Sequence, residues 1–334
     1  MKKPLFSLPA ALALVGLMLT GCGKDDPVAS TDDPNDQLYG SAQTDEQFFR
    51  LYGENDEYFK ADDLAMNDGD QPQSMDDDSL GKLMTPIRPL RWARHIRNFN
   101  RSMQLDSVTA DSLAYVTITK TWTGVLLIAA AYSDTSTTPD TVIQKPFTTV
   151  SKKRIIFKRI GRDRVIWRNW RPVAVSLIAG GTSTSSDIAL TQVKMNFFDN
   201  NGTPDSIVVT DPLNTFLRFK RVFDIQVKDV PEIESGRRVR LQVTLVSADS
   251  DTDHVVLRYG FSPDRQHRRR IRLALVSETF DGTNYVRIYE RGFNMHFKRG
   301  VFSAAIDATT HGTLFDDSAA VASSFWGVPY MVTR

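Results

Sequence analysis

From Ala114 onward the apolar residues recur at every second position, and this period constrains the chain more than any other feature of its sequence. Alternation of this kind lets a pleated strand bury one face and wet the other, which a helix of about 3.6 residues per turn cannot match. Tyr115–Thr119, Arg154–Lys158 and Val165–Arg168 are the first such runs, rich in β-branched and aromatic residues. Further along, Val239, Leu241, Val243 and Leu245 share one side while Arg240, Gln242 and Thr244 take the other. Val255, Leu257 and Tyr259 repeat the pattern, then Ile271, Leu273 and Leu275, then Tyr285, Arg287 and Tyr289. Asn201-Gly202, Ser235-Gly236, Asp281-Gly282 and Arg291-Gly292 separate the runs as turns. The expectation for 188–334 is an antiparallel β-sandwich.

Upstream the spacing is different. Residues 86–104 carry Leu90, Ala93, Ile96 and Arg97 at helical intervals, with Pro86 and Pro89 suited to a first turn, so a basic amphipathic helix is predicted there. Thr44 and Gln47 fit a capping box ahead of Phe48, Leu51 and Tyr52, which predicts a short helix near 44–60. Gly161–Arg164 reads as a hairpin turn and Gly180–Ser186 as a flexible linker. The chain is thus expected to be mainly β with a helical N-terminal part. An α+β domain over 81–179 is joined by a linker, 180–187, to the sandwich.

Charge divides the chain along the same line. Residues 23–80 hold 17 Asp and Glu against 3 basic residues, and 81–334 hold 36 basic against 23 acidic ones, so a formal charge of +1 hides an acidic stalk on a basic body. The stretches 25–43 and 66–79 have little to bury and read as extended tether.

Lys2 and Lys3 precede an apolar stretch, Leu5 to Leu19, that is too short to span a bilayer and is closed by small residues, as in a signal peptide over 1–21. Leu19-Thr20-Gly21-Cys22 then resembles the lipobox of bacterial lipoproteins, and Cys22 is the chain's sole cysteine. The resemblance implies cleavage before Cys22, acylation of its sulfur and an exported protein anchored by acyl chains. Gly23 after the cysteine resembles the pattern for delivery to the outer membrane, and Lys24-Asp25-Asp26 is similar to a surface-display tag of Bacteroidota lipoproteins. The body would then face the periplasm or the cell surface. The element order over 44–179, with Trp167 and Trp170 ahead of Val173–Val175, resembles the nuclear-transport-factor-like or cystatin-like cone, a sheet curled over a helix around a pocket. The following sandwich resembles an immunoglobulin-like or fibronectin-like module that lacks the disulfide and the core tryptophan.

Chemistry is mostly excluded. His95, His254, His267, His296 and His311 show no zinc-helix spacing, and there is no GxSxG, P-loop or GxGxxG. With a single cysteine, a Cys-rich metal site is excluded too. No catalytic residue, metal or cofactor is expected. Asp199–Asp205 and Asp249–Asp253 place oxygen side chains as calcium loops do, without the EF-hand glycine and glutamate, and read as turns. The densest basic run, Arg268, Arg269, Arg270 and Arg272, with Arg237, Arg238 and Arg240 on another strand, is the candidate anionic-ligand patch, because arginine forks pair with carboxylate or phosphate. For an exported chain the partner is an anionic envelope glycan or another envelope protein, and nucleic acid is excluded. The reading is a lipid-anchored, non-catalytic binding or structural module; its alternative is a small-molecule or enzymatic pocket in 86–179.

Overall fold

The computed structural model describes residues 66, 73–74, 87–109, 113–133, 135–161, 169–183, 187–198, 202–218, 228–260 and 269–334. Cys22, the helix near 44–60, the strand 165–168 and Arg268 lie outside them. Strands are numbered in chain order. A 13-stranded sheet runs β1 (Gln73–Ser74), β2 (Arg88–Val108), β3 (Leu113–Ala131), β4 (Thr141–Arg159), β6 (Ile178–Thr182), β18 (Ser323–Thr333), β17 (Gly300–Thr309), β13 (His254–Tyr259) and β14 (Arg269–Arg272). Beside this path lie β5 (Trp170–Ser176), β9 (Phe216–Arg218), β10 (Lys228–Asp229) and β11 (Glu232–Glu234). A second sheet of five strands runs β15 (Ala274–Phe280), β16 (Tyr285–Asn294), β12 (Arg238–Ser247), β7 (Ile188–Phe198) and β8 (Pro204–Val209). Pairing is antiparallel throughout both main paths. A five-residue helix, α1 (His311–Phe315), links β17 to β18. No described helix is long and apolar enough to cross a membrane.

The predicted alternation is realised most fully in β12, whose Val239, Leu241, Val243 and Leu245 are buried while Arg238 and Arg240 are exposed. That face packs against Leu257, Ile306, Val328 and Tyr330 of the large sheet in one apolar core. β18 and β13 are buried on both faces, since the small sheet covers one side and the large sheet's own curl covers the other. The run Ile271–Leu275 does not form a single strand. β14 and β15 belong to different sheets, so the chain crosses the sandwich at the buried Leu273.

The curl of the large sheet is read from its side chains. Four strands separate β2 from β17, yet Arg94 Nη1 of β2 donates to Asp307 Oδ2 of β17 at 2.7 Å. At about 4.8 Å per strand a flat sheet would hold them more than 20 Å apart. Trp92 of β2 likewise meets the His254 ring of β13 edge-on, at 5.0 Å. The concave space is filled. Leu314 and Phe315 of α1 pack with Trp92, Ile128 and Phe147, and further along Met66 packs with Trp122, Ile178, Ala305 and Phe325. Burial of each large apolar side chain contributes about 1.5–3 kcal/mol.

Three expectations are corrected. First, 88–108 is a strand of 21 residues, paired along almost its whole length with β3, and not a helix. Register shifts at Pro89/Arg91, Ile96/Asn98 and Leu105/Ser107 turn some steps of two into steps of three, and the mixture imitates helical spacing. Second, the cone over 44–179 gives way to a curl made by strands from both halves of the chain, with α1 from 311–315 inside it. Third, residues 180–182 of the region read as linker are the end of β6, which pairs with both β4 and β18 inside the large sheet. Gly180 is there for close approach: a Cβ on it would run into the Phe325 ring and lie 2.9 Å from the Val150 carbonyl oxygen. The large sheet therefore continues across the boundary expected near 183.

Candidate functional site

The outer face of the small sheet carries a groove of about 670 Å³ between β8, β7, β12 and β16. Its walls include Asn196, Phe198, Ser206, Arg238, Arg240 and Glu290, with Gly292 beneath. Alternation sends the odd apolar positions of β12 inward, so Arg238 and Arg240 must point out. Gly292 stands opposite Arg240 in the ladder and has no side chain, which leaves space over which the Arg238 guanidinium lies. Arg240 Nε donates to Glu290 Oε1 at 2.6 Å, and that hydrogen bond, followed by the carboxylate's charge, raises the Arg240 pKa. Arg238 has no ion-pair partner among the described residues. Phe198 remains 40% exposed beside it, which gives the groove an apolar wall next to a cation. A planar or ring-bearing anion matches this combination, since guanidinium forks take carboxylate or phosphate and the ring takes an apolar face.

The candidate patch divides. Arg237, Arg238 and Arg240 stand at the start of β12 in the small sheet, whereas Arg269, Arg270 and Arg272 belong to β14 at the edge of the large one. Arg237 is held by Glu234 at 2.7 Å. Arg270 and Arg272 lie opposite Arg258 and Val256 of β13, on the side of His254, whose pKa they lower.

Two buried ionic clusters escaped the sequence reading. In one, Asp307 lies between Arg94 and Arg258, at 2.7 and 3.2 Å, with all three side chains 4% exposed. Burial pushes the Asp307 carboxyl up, but Arg94 and Arg258 outweigh it and hold the pKa below the ordinary value. Next to it, burial first and Arg272 second lower His254 to about 3, so its ring is neutral. In the other, the fully buried Arg287 donates to Asp253 at 2.7 Å, to Glu278 at 2.6 Å and to the carbonyls of Asp249 and Ser250. The loop 249–253 that resembled a calcium loop thus closes on a guanidinium. Burial, partly offset by Arg287, raises Asp253 to about 6.

Asp249, Asp251 and His311 bring one ligand atom each within 4.8 Å of one another. These groups already serve the fold. Asp249 accepts the backbone N–H groups of Gly312 and Asp251, and His311 stacks on Phe315 at 4.1 Å. The other oxygen-rich loop lies partly outside the described residues. Between the two sheets, Met195, Leu241, Tyr259 and Phe293 surround an apolar space of about 30 Å³, too small for an organic ligand. No protein-family model matches the chain, and no curated protein matches it. The groove must therefore be judged by its own chemistry.

Proposed function

We propose that the chain is an exported lipoprotein, held in the outer membrane through acylated Cys22, whose body is a non-catalytic module that binds an anionic envelope glycan in the small-sheet groove. The observation that carries the binding reading is the placement of Arg238 beside the exposed Phe198 over the space left by Gly292. The lipid anchor is supported by Leu19–Cys22 and the apolar segment before it. Rim arginines in water give salt-sensitive binding and recognition more than raw affinity.

Titration of the purified body with uronate- or phosphate-bearing envelope polysaccharides tests it. Binding that weakens with salt and falls about tenfold in Arg238→Ala is expected, the loss of one charge-assisted contact. Equal binding by Arg238→Ala, or capture of envelope proteins with no polysaccharide, defeats the glycan reading. For the anchor, Cys22→Ala should move the protein from the membrane to the soluble fraction with its fold intact, and retention in the membrane defeats that part.

A further inference from the structure

The outer face of the small sheet continues beyond the groove, and the ladder arranges its side chains in rows. Asn196 stands opposite Arg240, and Arg240 opposite Gly292. In the next row Val208 of β8, Lys194 of β7, Gln242 of β12 and Glu290 of β16 stand side by side. They point away from the core, because Val193, Met195, Leu241 and Val243 on either side of Lys194 and Gln242 are buried. Glu290 is held by Arg240 at 2.6 Å, and Asp205 at the edge of the groove accepts the Ser206 N–H. Lys194, like Arg238, has no ion-pair partner among the described residues.

A cation beside exposed apolar surface thus occurs twice on one face. Phe198, 40% exposed, lies by Arg238, and Val208, 42% exposed, lies opposite Lys194. Two rows separate the two cations, about 14 Å along the strands, with a further step of one strand across. Between them Asn196, Arg240 and Gln242 offer amide and guanidinium groups to hydrogen bonds. A single acidic sugar that fills the first place cannot reach the second. A chain of sugars can, and it supplies what each place takes: an anion for the cation, a ring face for the apolar neighbour and hydroxyls for the amides between.

We infer that the small sheet binds an extended acidic polysaccharide along β12 through two places of like chemistry, one at Arg238 and Phe198 and a second at Lys194 and Val208. The inference rests on the glycan reading of the groove and adds the form of the ligand: a polymer whose anions recur, spanning both places, in preference to one terminal acidic sugar. Each place alone is wet and weak. Two on one rigid sheet make the second contact at high effective concentration, so affinity depends on chain length.

Calorimetric titration of the full chain in detergent with oligogalacturonates of one to eight sugars, and with glycerol phosphate oligomers of matching lengths, tests this. In at least one series, which thereby names the anion, affinity should rise by about tenfold or more from the single unit to the octamer. Lys194→Ala should bring the octamer down to the affinity of the single unit and leave the latter unchanged, whereas Arg238→Ala should weaken every length. Val208→Thr, which keeps the β-branched shape, should remove a smaller part of the rise. Should Lys194→Ala unfold, Lys194→Gln carries the same expectation. A flat length series, a rise that survives Lys194→Ala, or a loss shared by the single unit overturns the second place and leaves the groove reading standing. No binding at any length in either series removes the groove reading, and this inference with it.

Discussion

Arg94 and Arg240 each hold a carboxylate at hydrogen-bond distance, 2.7 Å from Asp307 in one case and 2.6 Å from Glu290 in the other. The Arg94 side chain is 4% exposed and that of Arg240 is 66% exposed. Inside the curl, water cannot replace a lost partner, so the ion pair belongs to the fold. On the small sheet's outer face water replaces it at once, so the guanidinium can be spent on a ligand. The same residue type thus does opposite work in the two places, and the surrounding solvent decides which.

The sharpest way to break this contrast is to remove the inner acid. Asp307→Ala leaves Arg94 and Arg258 buried without their carboxylate, and a loss of about 3–5 kcal/mol is expected in denaturant unfolding. A loss under 1 kcal/mol would mean that the curl admits water. Next in size, Gly180→Ala forces a Cβ toward Phe325 and the Val150 carbonyl, where the ladder leaves little freedom to move. The overpacking should cost about 1–3 kcal/mol, read as a lower denaturation midpoint; no change would restore the linker reading of 180–187.

Acidity separates the two regions further. His254 and His296 have folded pKa values lowered to about 3 and about 4, burial being the first cause of each. Below the ordinary histidine value the unfolded chain takes up protons that the folded chain refuses, so stability falls as pH drops from about 6.5 toward 4. Asp253, raised to about 6, acts in the opposite sense: its folded form keeps a proton that the unfolded form has lost, so its contribution declines as pH rises from about 4 to 6. His311 and the lowered Asp281, Asp307 and Asp316 act with these histidines against Asp253, so the net is acid destabilisation. His254→Gln should remove about one proton from that slope, near 1.4 kcal/mol per pH unit, measured by unfolding at pH 4.5, 5.5 and 6.5. An unaltered slope would show that His254 is protonated in the folded protein. The smallest effect belongs to the outer face, where Arg238→Ala should shift stability by less than about 0.5 kcal/mol while weakening the glycan binding proposed for the groove.

Legibility in the sequence follows the same division. β12 and β13 were readable because their inward positions are apolar, and β3 and β4 because their runs are rich in valine, isoleucine and threonine. β2 was not, since Arg94 and Arg101 occupy positions that alternation reserves for apolar residues and bulges break the count. The Asp307 cluster joins residues 94, 258 and 307, which no local pattern connects. Gly180 and Gly181 wrote the composition of a loop into what became a strand, because only the neighbouring Phe325 ring explains them. For the groove, Arg238 and Arg240 were anticipated from charge density. Phe198 and Gly292 became relevant only when β7 and β16 flanked β12, and β14 carried the other arginines to a different sheet.

β18 is the latest strand in chain order, yet it sits mid-sheet between β6 and β17 and also takes β11 along its length. Without residues 323–333 the main path of the large sheet is cut between β6 and β17, and Phe325 is missing from beside Met66. Closure of the large sheet therefore waits on a strand that comes later in the sequence than every other described one and inserts between β6 and β17.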